Sequence, residues 1–253
     1  MKNLESENKI LKKKLSIAQA WMKREILSNL NGINVSKVNF ETSKSKKSFF
    51  SENVEEIVYN QVYNFFGEEL FMYFSKDILE NIISGEILFF ALNQNKAVDG
   101  LGIIISYNKS FDLFVEENIT KLFRKYFNSK KYKFNLENDL IEKKLHSVVY
   151  KGHILGFGNL FGILKKISEN KDFSPYLSSF KDFLEKYFYI GNILLEKDFL
   201  EIYKKLVDLE TFGSKRHIGK VDFEDVFKTR KYFLGDFKDK NCFLYKLLKI
   251  LEF

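Results

Sequence analysis

The sequence predicts an all-α protein, because features of the whole chain favour helices over strands. Its 253 residues include one proline, Pro175, and only 13 glycines, the two residues that most often interrupt a helix. Apolar residues recur at spacings of three and four along most of the chain, as they do on one face of a helix. We therefore predict a coiled-coil helix over 1–30, a linker over 31–51 and a multi-helix bundle over 52–253.

The first helix has the heptad pattern of a coiled coil, with apolar residues at alternating spacings of four and three. Its seam comprises Leu4, Asn8, Leu11, Leu15, Ala18 and Met22. A lone asparagine at an a position fixes register in dimers, so this seam predicts a homodimer or a protein partner held through the N-terminal helix. The alternative is an amphipathic helix that packs on its own domain.

The basic character of the chain belongs to this N-terminal part. Residues 1–50 have 11 Lys/Arg and 4 Asp/Glu, which accounts for the whole net charge of +7, and residues 51–253 have 30 of each. A basic segment attracts nucleic acid or another acidic surface. The alternative is a solvated linker in which the lysines serve solubility.

The bundle is predicted to start at Ser51, where a helix begins that ends at Gly67. Further helices are predicted over 77–93, 99–128, 137–150, 156–168, 175–188, 196–209, 222–234 and 241–252. The helix over 222–234 has the clearest end signals, because Asp222 suits the N-cap and Gly235 suits the position after the C-terminus.

A basic turn before that helix is the strongest candidate for a binding site. Lys215, Arg216 and His217 lie just ahead of a helix N-terminus, where backbone N–H groups and the helix dipole favour phosphate. Lys220 and Arg230 are further cations for the same ligand. The alternative is structural: Arg216 caps a preceding helix and His217 fills a polar gap in the core.

A second basic stretch combines lysines with aromatic rings, as single-stranded nucleic-acid sites do. Its predicted phosphate ligands are Arg124, Lys125, Lys130 and Lys131, and residues 128–135 are expected to form a basic, aromatic loop. The alternative is that the lysines complement the dipole at a helix C-terminus.

Several classes of site are disfavoured by the sequence. One cysteine, Cys242, rules out an internal disulfide and a cysteine-based zinc cluster, and the three histidines have no metal-ligand spacing, so neither metal nor cofactor is expected. The glycines over 152–162 follow neither the P-loop nor the dinucleotide pattern, and we interpret them as points of close helix approach. Since no apolar run is long enough to span a membrane, we expect a cytoplasmic protein without membrane contact.

Three stretches together resemble the HEPN-like helical domains of bacterial toxin–antitoxin and anti-phage defence systems. They are the helix over 99–112 with Tyr107 and Lys109, the glycine-containing helix start over 155–164, and the closing segment 216–235. The resemblance covers residues 75–250. It implies an all-α, often dimeric domain in which an Arg-x(4–6)-His pair cleaves RNA without a metal.

The chain departs from that pair. His217 matches its histidine, but Glu210, Thr211 and Phe212 stand where the arginine is required. We therefore expect an RNA- or nucleotide-phosphate-binding accessory protein of a bacterial conflict system. The alternatives are a dimeric coiled-coil adaptor and a ribonuclease that uses His217 with Arg216 as its catalytic residues.

Overall fold

A computed structural model of the chain describes residues 53–97, 99–130, 140–169, 174–188, 191–209, 212 and 220–251. Over these residues the chain is helical and has no strand, which confirms the predicted all-α class. They belong to one unit, which begins at Asn53. The predicted coiled-coil helix, with its seam from Leu4 to Met22, and the predicted linker over 31–51 lie outside the described residues.

The described residues form a series of helices joined by connections of different lengths. In chain order they are α1 Asn53–Phe71, α2 Lys76–Gln94, α3 Leu101–Val115, α4 Lys121–Lys130, α5 Leu140–Lys151, α6 Phe157–Ser168, α7 Pro175–Tyr187, α8 Lys197–Asp208, α9 Phe223–Leu234 and α10 Phe243–Lys249. Single 3-10 turns at Gly191–Leu195 and Gly235–Phe237 precede α8 and follow α9.

The helix ends carry the residue types that terminate helices. The side chains of Ser75 and Asp222 accept hydrogen bonds from Ile78 N (3.4 Å) and Asp225 N (2.9 Å), so they cap α2 and α9. Pro175 occupies the first turn of α7, where its missing N–H costs nothing. The predicted caps of α9, Asp222 and Gly235, are both confirmed.

Two boundaries differ from the prediction. Gly67 kinks α1 with a φ of 72° instead of ending it, and the helix resumes to Phe71. From Leu101 to Lys130 the chain stays helical through a π-helical turn at Glu116–Thr120, so the helix extends past 128, where the predicted basic loop was to begin.

Aromatic rings fill much of the core. Phe157 of α6 lies 4.6 Å from the ring of Tyr203, 4.7 Å from that of Phe212 and 4.9 Å from that of Phe111. All four side chains are fully buried or nearly so. Burial of such a side chain contributes about 1.5–3 kcal/mol, so this cluster is a major stabilising contact between α3, α6 and α8.

A buried ion pair joins α9 to α2. Arg230 is 8% exposed, and its Nη2 donates to Glu86 Oε2 at 2.8 Å while its Nε bridges both carboxylate oxygens at 3.0 Å. The Tyr107 hydroxyl of α3 also donates to Glu86. Burial and the Glu86 carboxylate raise the pKa of Tyr107, so the hydroxyl stays protonated as a donor.

The same arginine holds the turn after α9. Gly235, Asp236 and Phe237 all have positive φ, a conformation that costs a residue other than glycine roughly 1–2 kcal/mol. Asp236 accepts from Arg230 Nη1 at 2.6 Å, and the guanidinium lies between the rings of Phe237 (5.0 Å) and Phe89 (4.5 Å). These contacts offset the strain of the turn.

Glycines allow close approach at positions other than those expected. A Cβ on Gly100 would lie 2.2 Å from Val226 Cγ2, and one on Gly85 would lie 2.8 Å from the Tyr107 ring. A Cβ on Gly158 or Gly162 would have nothing within 4 Å. The interpretation of the run over 152–162 as close-approach glycines is therefore wrong for these two.

We expect Glu86→Ala to lower the free energy of unfolding by about 3–5 kcal/mol, because it leaves the Arg230 charge buried without its main partner. Urea denaturation measures the effect. The control is Glu224→Ala, which breaks an exposed, solvent-screened ion pair with Lys228 and should lower the free energy of unfolding far less than Glu86→Ala does. Equal effects of the two substitutions would contradict the importance of the buried pair.

We expect Gly100→Ala to destabilise the protein by about 1–3 kcal/mol, because the added methyl group has no room against Val226. Gly162→Ala is the matched control, since it places the same methyl group in open space within α6. It should stabilise by roughly 0.5–1 kcal/mol through helix propensity. A thermal or urea melt in which both variants shift in the same direction would rule out the steric explanation.

Candidate nucleic-acid interface

The predicted phosphate turn with Lys215, Arg216 and His217 lies outside the described residues. Its proposed binding and catalytic roles therefore remain predictions. Phe212, which precedes the turn, is fully buried. Lys220, the first described residue after the turn, is exposed.

Hydrogen bonds join the chain just after Lys220 to the connection between α2 and α3. Asp99 Oδ1 accepts hydrogen bonds from Val221 N (3.0 Å) and Leu101 N (2.9 Å), and Gly100 N donates to Val221 O (2.9 Å). The hydrogen bonds from Val221 and Leu101 lower the pKa of Asp99, which keeps it ionised as an acceptor. The start of α9 is therefore tied to the start of α3.

Arg230 does not lie where a phosphate could reach it. Its side chain is buried, and its donors are bound to Glu86 and Asp236, as described above. Burial by itself would lower the pKa of Arg230, but the charge and hydrogen bonds of Glu86, together with Tyr107 and Asp236, outweigh it and raise the pKa. Arg230 therefore stays charged and is neutralised internally. The prediction of Arg230 as an RNA ligand is not consistent with this position.

Arg124 is also occupied by the fold. Its Nε donates to Val148 O (2.7 Å), its Nη2 to His153 O (2.8 Å) and its Nη1 to Glu116 Oε1 (3.2 Å). These bonds attach α4 to the end of α5 and to the connection that follows it. The arginine serves as a structural bracket, and the neighbouring Lys125 is the exposed cation.

Exposed lysines dominate the outer faces of α4 and α5, which pack against each other. They are Lys121, Lys125, Lys130, Lys143, Lys144 and Lys151. α4 has no acidic residue, and the one carboxylate of α5, Glu142, is fully buried, where it accepts from Tyr176 N (3.1 Å) and the Ser174 hydroxyl. We call these six lysines the α4–α5 basic face. Of the predicted ligands, it includes Lys125 and Lys130, whereas Lys131 lies outside the described residues.

The rings of the basic stretch are inside the protein. Tyr126 and Phe127 are 3% and 1% exposed, so neither is available to stack on a base. Two exposed tyrosines contact them instead: Tyr187 of α7 lies 5.8 Å from Tyr126, and Tyr150 of α5 lies 6.2 Å from Phe127, measured between ring centroids. Sequence reasoning missed both, although Tyr150 follows Lys143 by two helical turns on the same helix.

Other chemistry has little support in the part of the chain that the structure describes. No three His, Cys, Asp or Glu side chains there come together as a metal site. Cys242 is buried, and burial raises the pKa of its thiol to about 12, which leaves too little thiolate for nucleophilic chemistry. No described helix is both long enough and apolar enough to cross a membrane.

Comparison of the chain with protein-family models, with curated proteins and with solved structures finds no match.

We expect Arg124→Ala to lower the free energy of unfolding by about 1–3 kcal/mol, because it leaves two backbone carbonyls and Glu116 without their donor. Lys125→Ala removes the same charge from the adjacent residue and is the control, with an expected change within about 0.5 kcal/mol. Chemical denaturation followed by circular dichroism measures both. Equal stabilities of the two variants would show that the hydrogen bonds of Arg124 contribute nothing to the free energy of unfolding.

Proposed function

We propose that this protein binds RNA or nucleotide phosphate, and that the α4–α5 basic face is its main contact surface. The single observation that carries the proposal is the separation of charge on these two helices. Six lysines are exposed on their outer faces, and the only carboxylate is buried and hydrogen-bonded. Phosphate is the polyanion that such a surface attracts.

The positive charge of α4 and α5 stands out because residues 51–253 as a whole have no net charge. Residues 51–253 have 30 basic and 30 acidic residues, whereas α4 and α5 together have seven Lys/Arg and one Asp/Glu. The rest of that part of the chain is therefore acidic. A localised positive field of this kind steers a polyanion to one surface and away from the others.

The identity of the cations also suits a phosphate surface. The one arginine of these two helices, Arg124, is held by internal acceptors, whereas the exposed basic residues are all lysines. Lysine is a hydrated point charge that contacts phosphate without a fixed geometry, which favours binding that does not depend on sequence.

The HEPN-like assignment and the role in a bacterial defence system rest on the resemblance of three stretches of sequence and belong to this proposal. Binding without cleavage is the expected behaviour, since Glu210, Thr211 and Phe212 stand where the family pair has its arginine. Cleavage of RNA by the pure protein that is lost in His217→Ala would instead favour the ribonuclease alternative.

We expect the purified protein to bind a labelled single-stranded RNA, with affinity that falls as salt rises. Three to five phosphate contacts would weaken binding roughly 20- to 130-fold between about 50 and 200 mM salt. Substituting both Lys125 and Lys130 by Ala should reduce the slope of log affinity against log salt by about 1.4, the share of two contacts. Fluorescence anisotropy across a salt series measures both values.

The control is the double variant Lys109→Ala, Lys231→Ala, which removes the same charge from exposed positions on α3 and α9. Lys109 lies about 30 Å before Lys130 along the continuous helical segment. A slope lowered equally by both double variants would mean that net charge, and not the basic face, governs binding. Absence of binding at low salt would overturn the proposal.

A further inference from the structure

We propose that the ligand of the α4–α5 basic face is single-stranded, and that Tyr150 and Tyr187 stack on its bases. This inference rests on the proposed function and adds the class of nucleic acid and two residues that contact it. A double helix keeps its base faces covered by neighbouring pairs, so only unpaired bases can lie on a protein ring.

Tyr150 is an exposed ring held in a fixed orientation. Its side chain is 54% exposed at the C-terminal end of α5, beside Lys151. The ring packs edge-on against Phe127 and lies 4.8 Å from the ring of His146. A hydrogen bond joins the hydroxyls of Tyr150 and Tyr176, and burial together with this neighbour raises the pKa of Tyr176 to about 12. A held ring loses little entropy when a base stacks on it.

Tyr187 has the same properties at another point of the surface. It is the last residue of α7, is 38% exposed, and packs edge-on against Tyr126. Lys186 Nζ lies 5.7 Å from the centroids of both rings, and Lys130 Nζ lies 5.5 Å from that of Tyr126. Cations for phosphate and a ring for a base are therefore adjacent, as in known single-strand binding surfaces.

The two rings flank α4. Its consecutive residues Tyr126 and Phe127 reach opposite ends of α7: Tyr126 contacts Tyr187, and Phe127 stacks on Tyr176 at 5.2 Å. These ends are 11 residues apart, or about 16 Å along the helix. Tyr150 contacts Phe127 and Tyr187 contacts Tyr126, so the two exposed rings pack on consecutive residues of α4, and Lys130 Nζ lies 5.5 Å from the Tyr126 ring. We infer that an extended strand contacts both rings and Lys130.

Among the residues that the structure describes, acidic side chains near this surface are few and partly neutralised. On α7, Glu185 lies 3.8 Å from Lys181, and Asp182 is exposed. The exposed faces of α4 and α5 have no carboxylate, so a strand that follows these two helices meets mainly positive charge on their described residues.

The test compares ring removal with ring retention in the full chain. We expect Tyr150→Ala and Tyr187→Ala each to weaken binding of a labelled single-stranded RNA by roughly 5- to 150-fold, the range for loss of one stacked base. Tyr150→Phe and Tyr187→Phe keep the ring and should bind within a few-fold of wild type. The salt slope should not change in any of the four variants, because no phosphate contact is lost.

Tyr63→Ala is the matched control, since Tyr63 is a comparably exposed tyrosine on α1. A duplex of the same sequence should bind more weakly than the single strand and should be insensitive to the Ala substitutions. Single-stranded DNA should show the same dependence on Tyr150 and Tyr187, because every base has a face that can stack. Thermal melting of each variant checks that the fold is kept.

The outcomes separate the two proposals. If wild-type protein binds RNA but the Ala variants bind equally well, or if duplex binds as tightly as single strand, stacking is overturned while phosphate binding stands. If the wild type binds neither form at low salt, both proposals fail.

Discussion

The burial of one arginine is the constraint on which the rest of this bundle depends. A guanidinium in the interior is tolerated only when its charge is neutralised and its donors are bound, and here Glu86 supplies most of both. Tyr107 donates to the same carboxylate, and Asp236 accepts from the same guanidinium. One buried ion pair therefore links four elements. α2, α3, α9 and the left-handed turn after α9 are thereby fixed relative to each other.

The positions of the helices were largely predictable, because helix formation depends on local spacing and end residues. α9 is the clearest case: Asp222 and Gly235 determine its limits, and the structure agrees with both. Whether a given cationic side chain is buried or exposed was not predictable, because it depends on partners that are distant in sequence. Arg230 is buried because Glu86 lies opposite it, 144 positions away, and no pattern near Arg230 reveals this. The packing around each glycine was not predictable either. A Cβ on Gly100 would collide with Val226, whereas one on Gly162 would meet no atom within 4 Å.

The candidate surface was predictable in composition but not in its parts. Lysines beside rings predicted contact with nucleic acid, but a helix turns successive side chains in different directions, so Lys125 faces water while Tyr126 faces the core. Rings and cations that lie together in sequence are thus separated in space. The exposed rings come from α5 and α7, whose approach to α4 depends on tertiary packing. Only Lys125 and Lys130 of the predicted ligands lie on the basic face as the structure describes it.

The distance in sequence between Glu86 and Arg230 has a consequence for synthesis of the chain. At about 5–20 residues per second, a ribosome that has added Glu86 needs roughly 7–30 s to add Arg230. Until then the carboxylate on the inner face of α2 has no counter-charge, and that face cannot be closed without burying it alone. The nascent chain therefore completes its native interior only after α9 has emerged, and an incomplete product is exposed to chaperones and proteases throughout that interval.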